Sequence, residues 1–414
     1  MPALTAYSFG PGFWLLFLAN FFSFMALEFC FPVVSLLIGD LGGGSAAMGV
    51  AMAAMVGAAL AARVVGGRLA GRFGLKAIAV AAMIFEGVAL ILQLVAQEVG
   101  LVLVARTVFG IGYGLSTTAL NAWVLAAVPN ERMGRAVGLF GIGTTFAMVA
   151  GPFAGFIVYV DWGGNTANAG IALAMVAVAL AVVLPAAETR AAKGAAATGA
   201  GPARVERRGR PGAGVRPAAP VAAIMLMSLC YGTTMSFLPV YAVSLGIADA
   251  GVYFLVQALA AVVVRYPAGH VQDRRGLRHV LVPGFLFAAG GYAVLAGLEG
   301  TVGLFAAAAL FGAGFGIVEP AVQAWMVMIF PKTEGARANG LFFNAFDTGM
   351  AIGALAVGLL AGFVGFSWLF AAGAVLLAGA ALLSTAAVVV PPPVGNGQEG
   401  QPVRGSRSGD AGRV

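Results

Sequence analysis

RVVGGRLAGRFGLKA at residues 63–77 and RYPAGHVQDRRGLRH at residues 265–279 are two copies of one basic segment, 202 positions apart (Arg63 to Arg265). Arg63 matches Arg265, Gly67 matches Gly269, Gly74 matches Gly276 and Lys76 matches Arg278. The same offset carries FGIGYG (109–114) onto FGAGFG (311–316). It also carries Trp123 onto Trp325, Pro129 onto Pro331, Arg135 onto Arg337 and Gly138 onto Gly340. A register held without a gap from Arg63 to Gly138 marks a duplication into two halves of the same orientation. The copies differ at one telling place: Asp273 has Gly71 as its counterpart.

The composition says what the halves are made of. The 414 residues are 61% hydrophobic and 9% charged, against about a quarter charged in soluble domains. Apolar runs such as 77–95 and 171–187 are long enough for membrane-spanning helices. Barrel strands would be about ten residues of alternating pattern. The expected fold is therefore all-α: a polytopic membrane protein with twelve transmembrane helices in two pseudo-symmetric six-helix bundles. The spans fall near residues 13–38, 46–67, 77–97, 101–128, 137–160, 168–187, 219–244, 249–269, 279–298, 301–329, 338–362 and 365–390. The segment 13–38 is too long for a signal-peptide core and has no basic region before it, so it reads as a retained first span.

Charge placement sets the orientation. The connections after odd-numbered spans hold no Lys or Arg. Those after even-numbered spans hold Arg68, Arg72, Lys76, Arg132, Arg135, Arg274, Arg275, Arg278, Lys332 and Arg337. The positive-inside rule then puts both termini in the cytoplasm and the chain in the cytoplasmic (inner) membrane. The net charge of +7 is a topology signal, not a nucleic-acid patch. The expected domains are an N-terminal bundle at 1–187, a cytoplasmic linker at 188–218, a C-terminal bundle at 219–390 and a disordered tail at 391–414. The linker and tail are rich in Gly, Ala, Pro and Arg and cannot bury themselves. Cys30, Cys230, His270 and His279 lack metal-ligand spacing, and no phosphate loop or nucleophile elbow stands out. No enzyme activity and no cofactor are expected.

GRLAGRFGLK (67–76) and GHVQDRRGLR (269–278) resemble the motif G-x-L-x-D-R-x-G-x-(R/K) of the major facilitator superfamily. In that family it lies between spans two and three. The resemblance covers the whole chain outside the linker and tail. It implies a transporter whose parallel halves enclose a substrate site at the bilayer midplane and rock about it. It also makes Gly67, Arg72, Gly74, Arg135, Gly269, Asp273, Arg274 and Gly276 candidates for a cytoplasmic gate. There Asp273 would sit against the start of span five, near Arg135 and Gly138, as a carboxylate at a helix N-terminus. The first copy lacks that acid, having Gly71. GPFAG (151–155) is similar to the Gly-Pro motif of span five in the antiporter branch, and Arg106 to an Arg-containing motif of span four.

Ionisable groups within spans are expensive and so point to function. Glu28 is the leading candidate proton carrier, since span one lines the cavity in the family. A carboxyl in an apolar cavity can load and release a proton in the working range. Arg106, a neighbour of span one in the family, would lower that carboxyl's pKa when close. Asp347 and Glu319 are further proton-coupling candidates, Glu319 also standing before a kink at Pro320. Asn20, Tyr231, Thr234, Gln257 and Asn344 are candidate cavity residues. Asn344 shares a helix face with Asp347. The five tryptophans lie near span ends and read as an aromatic belt.

The favoured function is proton-coupled export of small amphipathic compounds or metabolites by a functional monomer. Its partners would be the substrate, protons and the lipid bilayer. Alternatives are a proton-coupled importer of an organic acid or sugar, and a non-transporting sensor or scaffold.

Overall fold

In lipid every backbone N–H and C=O must find a partner within the chain, so these apolar runs are held as helices. The computed structural model describes residues 9–128, 133–187, 217–247, 250–330 and 335–387. Among the described residues the elements are all helical: α1 (Pro11–Cys30), α2 (Val33–Asp40), α3 (Ser45–Phe73), α4 (Leu75–Leu94), α5 (Val99–Ala127), α6 (Met133–Asp161) and α7 (Gly164–Val183). The second half supplies α8 (Ala218–Ser244), α9 (Ala250–Arg275), α10 (Arg278–Ala296), α11 (Gly300–Ile329), α12 (Gly335–Val364) and α13 (Phe366–Ala387). Twelve of these are long and apolar enough to cross a bilayer, α2 being the short one. Residues 188–216 of the expected linker and all of the expected tail lie outside the described residues.

The span limits need two corrections. The first span is not continuous: it breaks at Pro32, which has no N–H to carry α1 into α2. The basic segments are not loops either. Helix α3 runs through GRLAGRF to Phe73 and α9 through GHVQDRR to Arg275. Nothing in those stretches stops a helix before the glycine that follows. Gly74 and Gly276 take φ +87° and +86°, a left-handed conformation that glycine reaches without strain. Each lies at the tight turn after its helix. At 1.5 Å per residue, the 29 residues of α3 reach about 43 Å, well past a hydrocarbon core of about 30 Å. The arginines therefore ride on projecting helix ends.

Packing repeats across the duplication. Within the first half α5 packs on α3 and α4, α1 on α6, and α4 on α7. Within the second, α11 packs on α9 and α10, α8 on α12, and α10 on α13. The glycines of the two FG motifs explain the register. Gly110 and Gly114 let α5 lie against the carbonyls of Met55 and Ala59, and Gly112 admits Ala82 and Glu86. The counterparts Gly312 and Gly316 meet the carbonyls of Gln257 and Ala261, and Gly314 meets Gly284 and Ala288. Every partner is again displaced by 202. Without a hydrophobic drive between helices in lipid, such close backbone approach is what holds them. The belt reading fails for two tryptophans. Trp123 and Trp325 are buried on α5 and α11, at duplicated positions, whereas Trp14, Trp162 and Trp368 are exposed.

Candidate functional site

Contact between the halves is carried mainly by two helix pairs, α3 on α12 and α6 on α9. The duplication exchanges one pair for the other. Gly49 of α3 lies against Ala354 and Gly358 of α12, and Gly251 of α9 against Phe156 of α6. All of these sit toward the helix ends away from the basic turns. The halves are thus in close contact at that end.

Nearer the middle, both matched arginines reach across. Arg63 and Arg265 each stand ten residues before the end of their helix, about 15 Å of rise. Arg63 Nη2 forms an ion pair with Asp347 Oδ2 at 2.5 Å, and the guanidinium donates from Nη1 to Asn344 Oδ1 at 3.0 Å and from Nε to Thr117 Oγ1 at 3.5 Å. Thr117 can accept because its own proton goes to the Tyr113 carbonyl. The guanidinium also lies over the Tyr113 ring, 5.2 Å from its centre, a cation–π contact. Arg265 donates from Nη2 to Glu319 Oε2 at 2.7 Å and from Nη1 to Thr145 Oγ1 at 3.0 Å.

These two nests are the same site twice, with acid and hydroxyl exchanged. Moving Thr117 by 202 positions gives Glu319, and moving Thr145 gives Asp347. Arg63 therefore takes its hydroxyl from its own half and its acid from the other. Arg265 takes its acid from its own half and its hydroxyl from the other. Only the first arrangement joins the halves by an ion pair. Its buried charges favour the pairing strongly over loss of either partner.

The remaining acids frame this layer. Glu28 is buried on α1, with its Cβ against Gly151 of the α6 Gly-Pro segment. It lies within electrostatic range of Asp347 and Tyr231. Tyr231 stacks on Phe315 with ring centres 4.5 Å apart. Gln257, Tyr231, Thr145 and Arg265 line one narrow cleft. Asn20 is buried on α1.

Two of the candidates lie elsewhere. Arg106 is not beside Glu28. Among the described residues the ion pairs are Arg63–Asp347 and Arg265–Glu319. Arg106 is buried, with its guanidinium on Met55 Sδ and the Phe109 ring. Thr234 does not face the cleft. Its hydroxyl meets Tyr292 at 2.9 Å, and Tyr292 donates to the Cys230 carbonyl, so Thr234 is spent inside the second bundle. A hydroxyl on an apolar helix does not reveal its face by type alone.

At the basic ends, Arg72, Gly269, Asp273 and Arg274 are exposed, Gly67 is buried, and Arg72 covers the Phe73 ring. The Arg135 side chain, expected near Asp273, lies outside the described residues, and so do the surroundings of Gly138.

Sequence reasoning missed that Arg63 and Arg265 organise the site, although both headed the repeated segment. Glu86, a mid-span acid of the third span, was set aside from the site as peripheral. That carboxylate is fully buried and accepts from Ser23 at 2.8 Å and from Ser116 at 2.8 Å, a satisfied internal anchor between α1, α4 and α5.

The family model for the Major Facilitator Superfamily matches residues 16–264 and 221–408. The chain belongs to the major facilitator superfamily. It is 23% identical over 343 residues to the staphylopine export protein of Staphylococcus aureus (strain Mu50), covering 80% of this chain and 84% of that protein. A crystal structure of the nucleoside transporter NupG matches with a TM-score of 0.68 at 14% identity, covering 91% of this chain and 98% of that one. A structure of the peptide transporter POT in complex with sulfate matches with a TM-score of 0.71 at 15% identity, covering 92% and 94%. The chain is thus a secondary transporter, not an enzyme.

Proposed function

We propose that this transporter exports small amphipathic compounds or metabolites in exchange for protons, by alternating access. The observation that carries the reading is the gathering of Glu28, Asp347 and Glu319 with two arginines where the halves meet, at mid-depth. Buried acids at such a place are expensive unless they are used. Glu28 has no ion-pair partner among the described residues, which leaves it free to trade a proton as substrate comes and goes. A carrier that binds proton or substrate, but not both, couples the two flows.

Export is favoured by the Gly-Pro segment of α6 packed on Glu28 and by the similarity to a protein described as an exporter. The basic helix ends face the cytoplasm, with both termini, in the inner membrane. The halves 1–187 and 219–390 act as the two rocking bodies, joined by the cytoplasmic linker 188–218, and the monomer is the working unit.

The test is reconstitution of the full chain in liposomes holding a pH-sensitive dye. Amphipathic compounds and metabolites are added one at a time under an imposed pH gradient. Substrate-triggered proton movement is expected in the direction opposite to substrate, and it should vanish in Glu28→Gln. Proton and substrate moving together would show an importer instead. Undiminished proton movement in Glu28→Gln would remove Glu28 from the mechanism.

A further inference from the structure

The two arginine nests serve as controls for one another. Arg63 has a protein partner on each of its three nitrogens: Thr117 on Nε, Asn344 on Nη1 and Asp347 on Nη2. Arg265 has two, Thr145 on Nη1 and Glu319 on Nη2. Its Nε is buried without a partner. The duplication shows what is missing: the counterpart of Asn344 is Ile142, an apolar residue. The second nest is therefore one acceptor short.

A second group in the same cleft is also unfilled. Gln257 is 5% exposed, and its Oε1 has no partner. An unpaired buried polar group costs about 1–3 kcal/mol, so two of them lining one narrow cleft point to a ligand. Gln257 and Arg265 stand eight positions apart on α9, about 12 Å of helix rise. Between them the cleft is walled by Met235, Phe254, Ala261 and the stacked Tyr231–Phe315 pair.

We propose that this cleft takes an elongated organic acid. Its carboxylate accepts from Arg265 Nε, an O–H or N–H donor at its far end serves Gln257 Oε1, and its apolar or aromatic body lies against Tyr231 and Phe315. This rests on the transport reading for its purpose and narrows the substrate class within it. Arg265 then serves two carboxylates, those of Glu319 and the ligand. Glu319 competes with the ligand for the guanidinium.

The test is equilibrium binding to the purified full chain in detergent. The probes are para-hydroxyphenylbutyrate, its amide, and phenylbutyrate. The acid is expected to bind about tenfold to a hundredfold more tightly than the amide, the range for a hydrogen bond to a charged group. Glu319→Gln should tighten the acid. Gln257→Leu should erase the preference for the hydroxylated acid over phenylbutyrate. Arg265→Gln alone strands a buried carboxylate and risks misfolding, so the neutral pair Arg265→Gln/Glu319→Gln is the decisive variant. In it the acid and amide should bind alike. The proposal falls if no probe acid binds, if acid and amide bind equally to the parent, or if the acid preference survives in the double variant. Proton-driven transport without an acid preference would sink the substrate class and leave the transport reading standing. An acid preference without proton-driven transport would do the reverse.

Discussion

Asp347→Asn removes the charge that joins the halves while keeping the size of the side chain. Breaking one partner of a buried ion pair costs about 3–5 kcal/mol. Asn keeps an acceptor, and Asn344 and Thr117 remain on Arg63, so the lower end applies, about 3 kcal/mol. The ion pair depends on α3 and α12 being apposed as they are here. The loss therefore falls on this conformation and shifts the balance of states by about two powers of ten.

The assay is pulsed dipolar spectroscopy between spin labels at Ala77→Cys and His279→Cys. Both positions are exposed, matched by the duplication, and on opposite halves at the basic ends. The native Cys30 and Cys230 are buried. The expected result is a second distance population that grows at the expense of the parent one. The neutral pair Arg63→Gln/Asp347→Asn should recover thermal stability but not the parent distribution. A distance distribution identical to the parent in Asp347→Asn would refute the idea that this pair holds the halves in one state.

Glu28→Gln is expected to leave downhill exchange of substrate intact while abolishing accumulation against a gradient, compared by counterflow and by pH-driven uptake in the same vesicles. Gly312→Ala places a methyl group on the Gln257 carbonyl and should cost about 1–3 kcal/mol by overpacking, seen as a lower melting temperature in detergent. Gly141→Ala, where nothing lies within 4 Å, should raise stability by about 0.5–1 kcal/mol. Glu86→Gln keeps an acceptor for Ser23 and Ser116 and should retain proton coupling, whereas Glu86→Leu strands both hydroxyls and should lower the melting temperature. A coupling defect in Glu86→Gln would move that residue from anchor to proton path.

The architecture was legible because two of its signals are global. Span length and the 202-residue register need only composition and order, and every FG-motif contact obeys that register. The layer of acids was legible because charge within an apolar run is costly wherever it faces. Partnerships were not legible, because they depend on helix rotation. Arg106 neighbours span one in the family but turns toward Met55, and Thr234 was expected in the cleft but turns toward Tyr292. Trp123 and Trp325 were read from their distance to a helix end, and burial is decided by azimuth. One signal was available and unused. Carrying Thr117 and Thr145 forward by the repeat lands on Glu319 and Asp347, which singles out the two arginines before any coordinates are known.

The exchange of acid and hydroxyl between the two nests makes the halves non-interchangeable. A homodimer of the first half would set each arginine between Thr117 and Thr145, with no acid at all. A homodimer of the second half would crowd each arginine with both a Glu319 and an Asp347. Neither self-pairing balances the charge within the two nests, so the present halves complement one another there. A gene that duplicated either one alone would encode a protein with its central charges unbalanced.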